Sequence, residues 1–154
     1  MQRASLSFKS IKGLSSPDRR GVGLLEGHQE LNAGDEFDDL SNKETDRLLA
    51  IMSRWCDGFL GPKKWFHNFD DTELMVFKLN EHRFYGYRYH PLPISNPAFL
   101  LCVLTIHVEK REWESDSAEL DRVDQWRTNP RAKEAIAKVY PEEGGGKCSK
   151  LSQN

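Results

Sequence analysis

ELMVFKLNEHRFYGYRY, residues 73–89, decides the fold. Two runs rich in apolar and aromatic side chains, Glu73–Leu79 and Arg83–Tyr89, flank Asn80-Glu81-His82, a gap short enough for a β-hairpin. Alternation then assigns the faces. With Glu81-His82 as a two-residue loop, Asn80 pairs with Arg83, Lys78 faces Tyr85 and Val76 faces Tyr87. Opposed residues share a face. Lys78, Asn80, Arg83, Tyr85 and Tyr87 therefore line up on one side, and Met75, Phe77, Leu79, Phe84 and Gly86 on the other. A slip of one residue would undo this alignment.

Working toward the C-terminus, Phe99–Val108 is apolar almost throughout, as a strand covered on both faces is. In it Thr105, His107 and, further on, Arg111 share one parity, while Leu100, Cys102, Leu104 and Ile106 share the other. The sheet is thus expected to have one oily face and one face of Lys, Arg, His and Tyr. Pro91, Pro93 and Pro97 make residues 90–98 a loop. A helix is predicted from Ser115 or Asp116, with Leu120, Val123 and Trp126 on one face. Asn129-Pro130 ends it and starts a second one reaching Tyr140. Residues 141–154, with three consecutive glycines, read as a flexible tail.

Toward the N-terminus, Ser41 and Glu44 form a capping-box pattern. Leu48, Ile51, Met52, Trp55 and Phe59 then make the stripe of an amphipathic helix, which Gly58, Gly61 and Pro62 terminate. Ser5–Leu14 is a candidate first strand, and the glycine-punctuated segment after it reads as turns and an acidic loop. The expectation is a small α+β domain over residues 41–140, its antiparallel sheet packed by helices. Residues 1–40 form an N-terminal extension and 141–154 the tail.

Composition narrows the function classes. The 154 residues suit one domain. Their longest apolar run, Ala98–Ile106, is far short of the ~20 residues a bilayer-crossing helix needs. No apolar signal stretch follows Arg3, Lys9 and Lys12, so a cytoplasmic protein without membrane partners is expected. Cys56, Cys102 and Cys148 make no CxxC, and His67, His82, His90 and His107 lack metal-ligand spacing. Gly144-Gly145-Gly146-Lys147 has no strand before it and is no P-loop. No metal or other cofactor is expected. Net charge is −2, but eight acidic residues between 26 and 46 stand against one lysine, so any anion site must be local.

The face carrying Lys78, Arg83, Tyr85 and Tyr87 is suited to unpaired RNA, because cations grip phosphates and rings stack on bases. Arg and Lys also stabilise charge developing at a phosphoryl centre, and His107 is a candidate for moving a proton there.

The hairpin, the stretch LLCVLTIHVEKREWES (residues 100–115) and the following helix resemble the RelE/ParE superfamily of bacterial and phage toxins, especially its RelE/HigB-like branch. The resemblance spans about residues 44–125. It rests on Lys78-Leu79 before a tight turn, Arg83 after it, and Lys110-Arg111-Glu112 after an apolar strand. Gly61-Pro62-Lys63-Lys64-Trp65-Phe66 sits where the family approaches its sheet. What it implies is a metal-independent endoribonuclease that cuts mRNA on the ribosome and is silenced by a cognate antitoxin. Carried over, Lys78, Arg83 and Arg111 hold the phosphate and Lys110 assists, with Tyr85, Tyr87, Lys63 and Lys64 as RNA contacts. This chain departs from the family in its pI of about 6.2 and in Glu114-Ser115-Asp116-Ser117, where such toxins often place a ring. The alternative is a non-catalytic RelE/ParE-like binding module, a phage or defence protein or a topoisomerase inhibitor.

Overall fold

In the computed structural model residues 73–89 form the hairpin: β4 (Leu74–Leu79) and β5 (His82–Tyr89) pair antiparallel. The register differs from the expectation by two residues. Leu79 pairs with His82, Lys78 with Arg83 and Val76 with Tyr85, so the loop is Asn80-Glu81. The physical reason is Asn80, whose φ of 54° is the left-handed conformation such a turn needs and asparagine tolerates. A shift of two preserves parity, so Lys78, Arg83, Tyr85 and Tyr87 still share a face.

The structure describes residues 5–15, 20–58, 62–91, 99–111 and 114–140. The proline-rich segment 92–98, the tail 141–154, Phe59, Gly61, Trp113 and Cys148 lie outside them. Among the described residues the fold is α+β, with six strands and four helices. β1 (Ser7–Ser15), β2 (Arg20–Glu26), β3 (Phe66–Asn68) and β6 (Leu100–Glu109) complete a sheet ordered β1-β2-β6-β5-β4-β3.

This sheet is mixed, which corrects the antiparallel expectation: β2 runs parallel to β6. Residues 20–26 read as turns because of Gly21 and Gly23, yet they are a buried strand. At Gly23 the glycine serves close approach. A Cβ there would lie 2.1 Å from the Phe8 ring and 2.8 Å from the Lys9 carbonyl oxygen on β1. Part of the acidic run likewise folds, as α1 (Ala33–Asp39).

Helices cover both faces. α2 (Asn42–Cys56) begins at the expected capping box, with Ser41 Oγ accepting from Glu44 N and Glu44 Oε1 from Ser41 N, both at 3.1 Å. Its stripe of Leu48, Ile51, Met52 and Trp55 packs on Phe77, Leu79 and Phe84 in one core. α3 (Ser117–Arg127) and α4 (Pro130–Val139) bring Val123, Trp126, Ala132 and Ile136 against Val76, Tyr85, Tyr87 and Leu101 in a second. The expected polar face is therefore also a core face, since ring-rich central strands sandwiched between layers are buried twice. Tyr85 and Tyr87 are fully buried.

A β-bulge decides the remaining parity. Tyr85 pairs with Ile106 but Gly86 with Leu104, leaving Thr105 as the extra residue, its hydroxyl donating to the Tyr85 carbonyl at 3.1 Å. Beyond the bulge every β6 side chain changes sides relative to simple alternation. Cys102 and Leu104 lie in the α2 core and Ile106 in the α3 core, while His107 pairs with Phe84 on the α2 side. His107 thus faces away from Lys78 and Arg83, contrary to expectation.

Candidate anion-binding cleft

At the turn end of the β4–β5 hairpin lies a cleft of about 480 Å³. Three stretches nominated from sequence meet there: Lys78 from β4, Arg83 from β5, and Lys110 and Arg111 from the chain leaving β6. Lys64 joins them from the turn before β3, and Arg47 from α2. Among the described residues Glu81 is the lone carboxylate of the lining. Ile51, Leu79 and Trp65 supply its apolar part. Six cations against one carboxylate among the described lining residues, with Glu119 behind Lys110, leave a local positive field in a chain whose net charge is −2. His67 registers the same field: its imidazole is held below its ordinary pKa first by burial and then by Lys78 and Lys63.

The cations are held in different ways. Lys78 stands opposite Arg83 in the ladder, one pair before the turn. The Arg83 guanidinium is buried at 4% exposure, and its Nη1 donates to the carbonyls of Asn80 at 2.8 Å and His82 at 3.1 Å. It closes the turn that makes the cleft, using donors a ligand would otherwise receive. Lys110 Nζ lies 2.8 Å from Glu119 Oε1 on α3 and donates to the Ser115 carbonyl, while its backbone N–H donates to Glu81 O. Arg111 is exposed, its backbone fixed by Glu114 Oε1 at 2.8 Å. Arg47 and Lys64 are exposed as well.

Four nominated residues lie outside the lining. Lys63 is exposed in the same turn as Lys64 but does not border the cleft. Tyr85 and Tyr87 are corrected from base-stacking rings to core rings. The Tyr85 hydroxyl donates to Asp116 Oδ1, and burial followed by that carboxylate raises its pKa; burial likewise raises that of Tyr87. This bond also explains why Asp116 caps no helix, although it precedes α3.

His107 is corrected from proton carrier to structural residue. It is 5% exposed, its Nε2 lies 2.8 Å from His82 Nδ1, and the Asn32 side chain bonds both its backbone N–H and its carbonyl, at 2.8 and 3.0 Å. Burial, then the neighbouring charge of His82, lowers its pKa to about 4. At neutral pH the ring is uncharged, so the 3.8 Å approach of Glu36 Oε1 is no ion pair.

Reasoning from sequence missed Arg47 and did not single out Trp65. Arg47 stands one helical turn before Ile51, at the i, i+4 spacing that puts two side chains on one face, and both border the cleft. Burial pushes the Cys56 thiol up to about 12 and Cys102 well above its ordinary value, so neither offers a thiolate. Among the described residues no His, Cys, Asp and Glu side chains group as a metal site, and no helix is long and apolar enough to cross a membrane. No protein-family model, curated protein or solved structure matches this chain.

Proposed function

We propose that the cleft binds the sugar–phosphate backbone of mRNA and that the protein is a RelE-like endoribonuclease toxin, acting on the ribosome and held inactive by an antitoxin covering the cations. One observation carries the reading: Lys78, Arg83, Lys110 and Arg111, separated in sequence, line one open cleft. In the reaction the 2′-oxygen attacks the adjacent phosphorus, the P–O5′ bond breaks, and the products are a 2′,3′-cyclic phosphate and a 5′-hydroxyl. Lys78 and Arg111 offset the charge that builds on the non-bridging oxygens. Because His107 faces the other way, the 2′-proton passes to a group of the lining and the departing 5′-oxygen takes one from it; among the described residues the lysines and Glu81 are the lining side chains able to exchange a proton.

The test is induction in bacteria followed by mapping of mRNA ends. Cleavage should be lost in Lys78→Ala and in Arg111→Ala. Arg83→Ala is the poorer probe because it also opens the turn. A second reading, a binding module without nuclease activity, is favoured by the fact that Arg83 and Lys110 spend donors on protein carbonyls and Glu119. Growth arrest with intact mRNA supports that reading in its topoisomerase-inhibitor form. Absence of toxicity supports a plain binder.

A further inference from the structure

The cleft is not lined by charge alone. Of its apolar residues among those described, Ile51 and Leu79 are buried at 8% and 2% exposure, so Trp65 is the one that keeps appreciable surface open. Its backbone is pinned: its N–H donates to the Pro62 carbonyl at 2.9 Å, and its own carbonyl accepts from Lys78 N at 2.8 Å. Its ring packs on the α2 core and carries the Arg54 guanidinium over it, the guanidinium carbon 5.2 Å from the ring centroid, so a ligand meets the part of the half-buried ring that these leave open. An indole fixed in this way loses little side-chain freedom when a ligand lands on it.

A site for phosphate alone needs no such ring. Cations beside an accessible, immobilised aromatic side chain are the combination that holds a nucleotide by both its phosphate and its base. The volume of about 480 Å³ also falls within the roughly 300–1,000 Å³ of small-ligand pockets. We infer that Trp65 is a base-contacting residue, taking one unpaired base while Arg47 and Lys64 hold the adjoining phosphate; this rests on the nucleic-acid reading above. Trp65 would thus make the cleft selective for single strands, whose base faces are free, over duplexes, whose faces are stacked.

Fluorescence anisotropy with the full chain tests this, using a dye-labelled 2′-O-methyl RNA octamer in which the attacking hydroxyl is blocked. Its partners are the same octamer with abasic positions and a matched duplex. The intact single strand should bind about tenfold more tightly than the abasic one, a gap within the range of one base–aromatic stack. Trp65→Ala should remove that gap by weakening only the intact strand, and Trp65→Phe should keep most of it. Equal binding of intact and abasic strands, with both weakened by Lys78→Ala, overturns the base contact and leaves the phosphate cleft standing. Binding that is absent, or indifferent to Lys78→Ala and Arg111→Ala, overturns both.

Discussion

His82 and Arg83 are consecutive residues of β5, yet they belong to polar clusters of opposite character. Arg83 points to a cleft where cations outnumber carboxylates and several side chains stand in solvent. His82 points to the α2 side and meets His107 at 2.8 Å, with Glu44 Oε2 3.5 Å from its other ring nitrogen and Asn32 gripping the backbone of its partner. The second cluster is compensated: each polar group meets another from a different element, and together they tie α1 and α2 to the sheet. The first carries an excess of one sign, which architecture alone does not require. Within the first, Arg83 and Lys110 already meet protein groups, so the excess is carried to solvent by the exposed Arg47, Lys64 and Arg111.

The sharpest way to break this contrast is to remove one residue from each side. On the proposed endoribonuclease reading, Arg111→Ala should lower mRNA cleavage by about 10²–10³-fold, the usual loss for a donor aimed at developing charge. Because Arg111 is exposed, its stability should stay within about 0.5 kcal/mol of the parent. His107→Gln should do the reverse, keeping cleavage and losing stability. If His107→Gln abolished cleavage in a protein still folded by circular dichroism, the two clusters would be one functional unit.

A pH series sharpens the compensated side. A buried imidazole with its pKa lowered to about 4 binds a proton less readily than the same histidine in the unfolded chain, near 6.5. The unfolded state therefore carries more protons between those values, and stability rises with pH across that window. The contribution is complete above about pH 6.5 and lost by about pH 4, roughly 3 kcal/mol in all. The groups facing the ring are Glu36 from α1 and His82 from β5, with Glu44 from α2 behind His82 and Glu109 further along β6. Urea midpoints of the parent and His107→Gln should diverge as the pH rises from 4.5 to 7. Parallel curves would show that this histidine is not the titrating group.

The same strand shows how much could be read from sequence. From residue 41 onward the element types other than β3, a three-residue edge strand with no signal of its own, followed from local signals: the Ser41–Glu44 box, the α2 stripe, the hairpin and Asn129-Pro130. The face of Lys78 and Arg83 survived an error of two in register because parity has period two. Two features were illegible for one reason, that they depend on what lies across the sheet. Gly23 looks like a turn glycine and Gly86 like one more position on a core face, but each makes room for a neighbouring strand. A Cβ on Gly86 would sit 2.3 Å from the Val103 carbonyl oxygen, at the bulge that turns His107 around. Gly86→Ala should therefore cost about 1–3 kcal/mol, read from denaturant unfolding. Convergence on the cleft was legible for the residues nearest the turn, and Arg47 was hidden because a helix flank carries no mark of the strand it will meet.

The smallest effects separate two side chains that alternation makes look equivalent. Tyr85 and Tyr87 share a face, a core and almost complete burial, and differ in what their hydroxyls find. Tyr85 donates to the Asp116 carboxylate, whereas the Tyr87 hydroxyl has no hydrogen-bond partner among the described residues. Net hydrogen-bond strength is modest, but a buried donor left without a partner bears its full desolvation cost. Tyr85→Phe should then cost about 1–2 kcal/mol, because Asp116 is only partly exposed to the water that would replace the lost donor. Tyr87→Phe should be neutral or stabilising by a few tenths of a kcal/mol, since it deletes an unpaired polar group while keeping the ring. Comparable losses in the two variants would mean that Tyr87 does have a partner, and the distinction between a satisfied and an orphaned hydroxyl would fail.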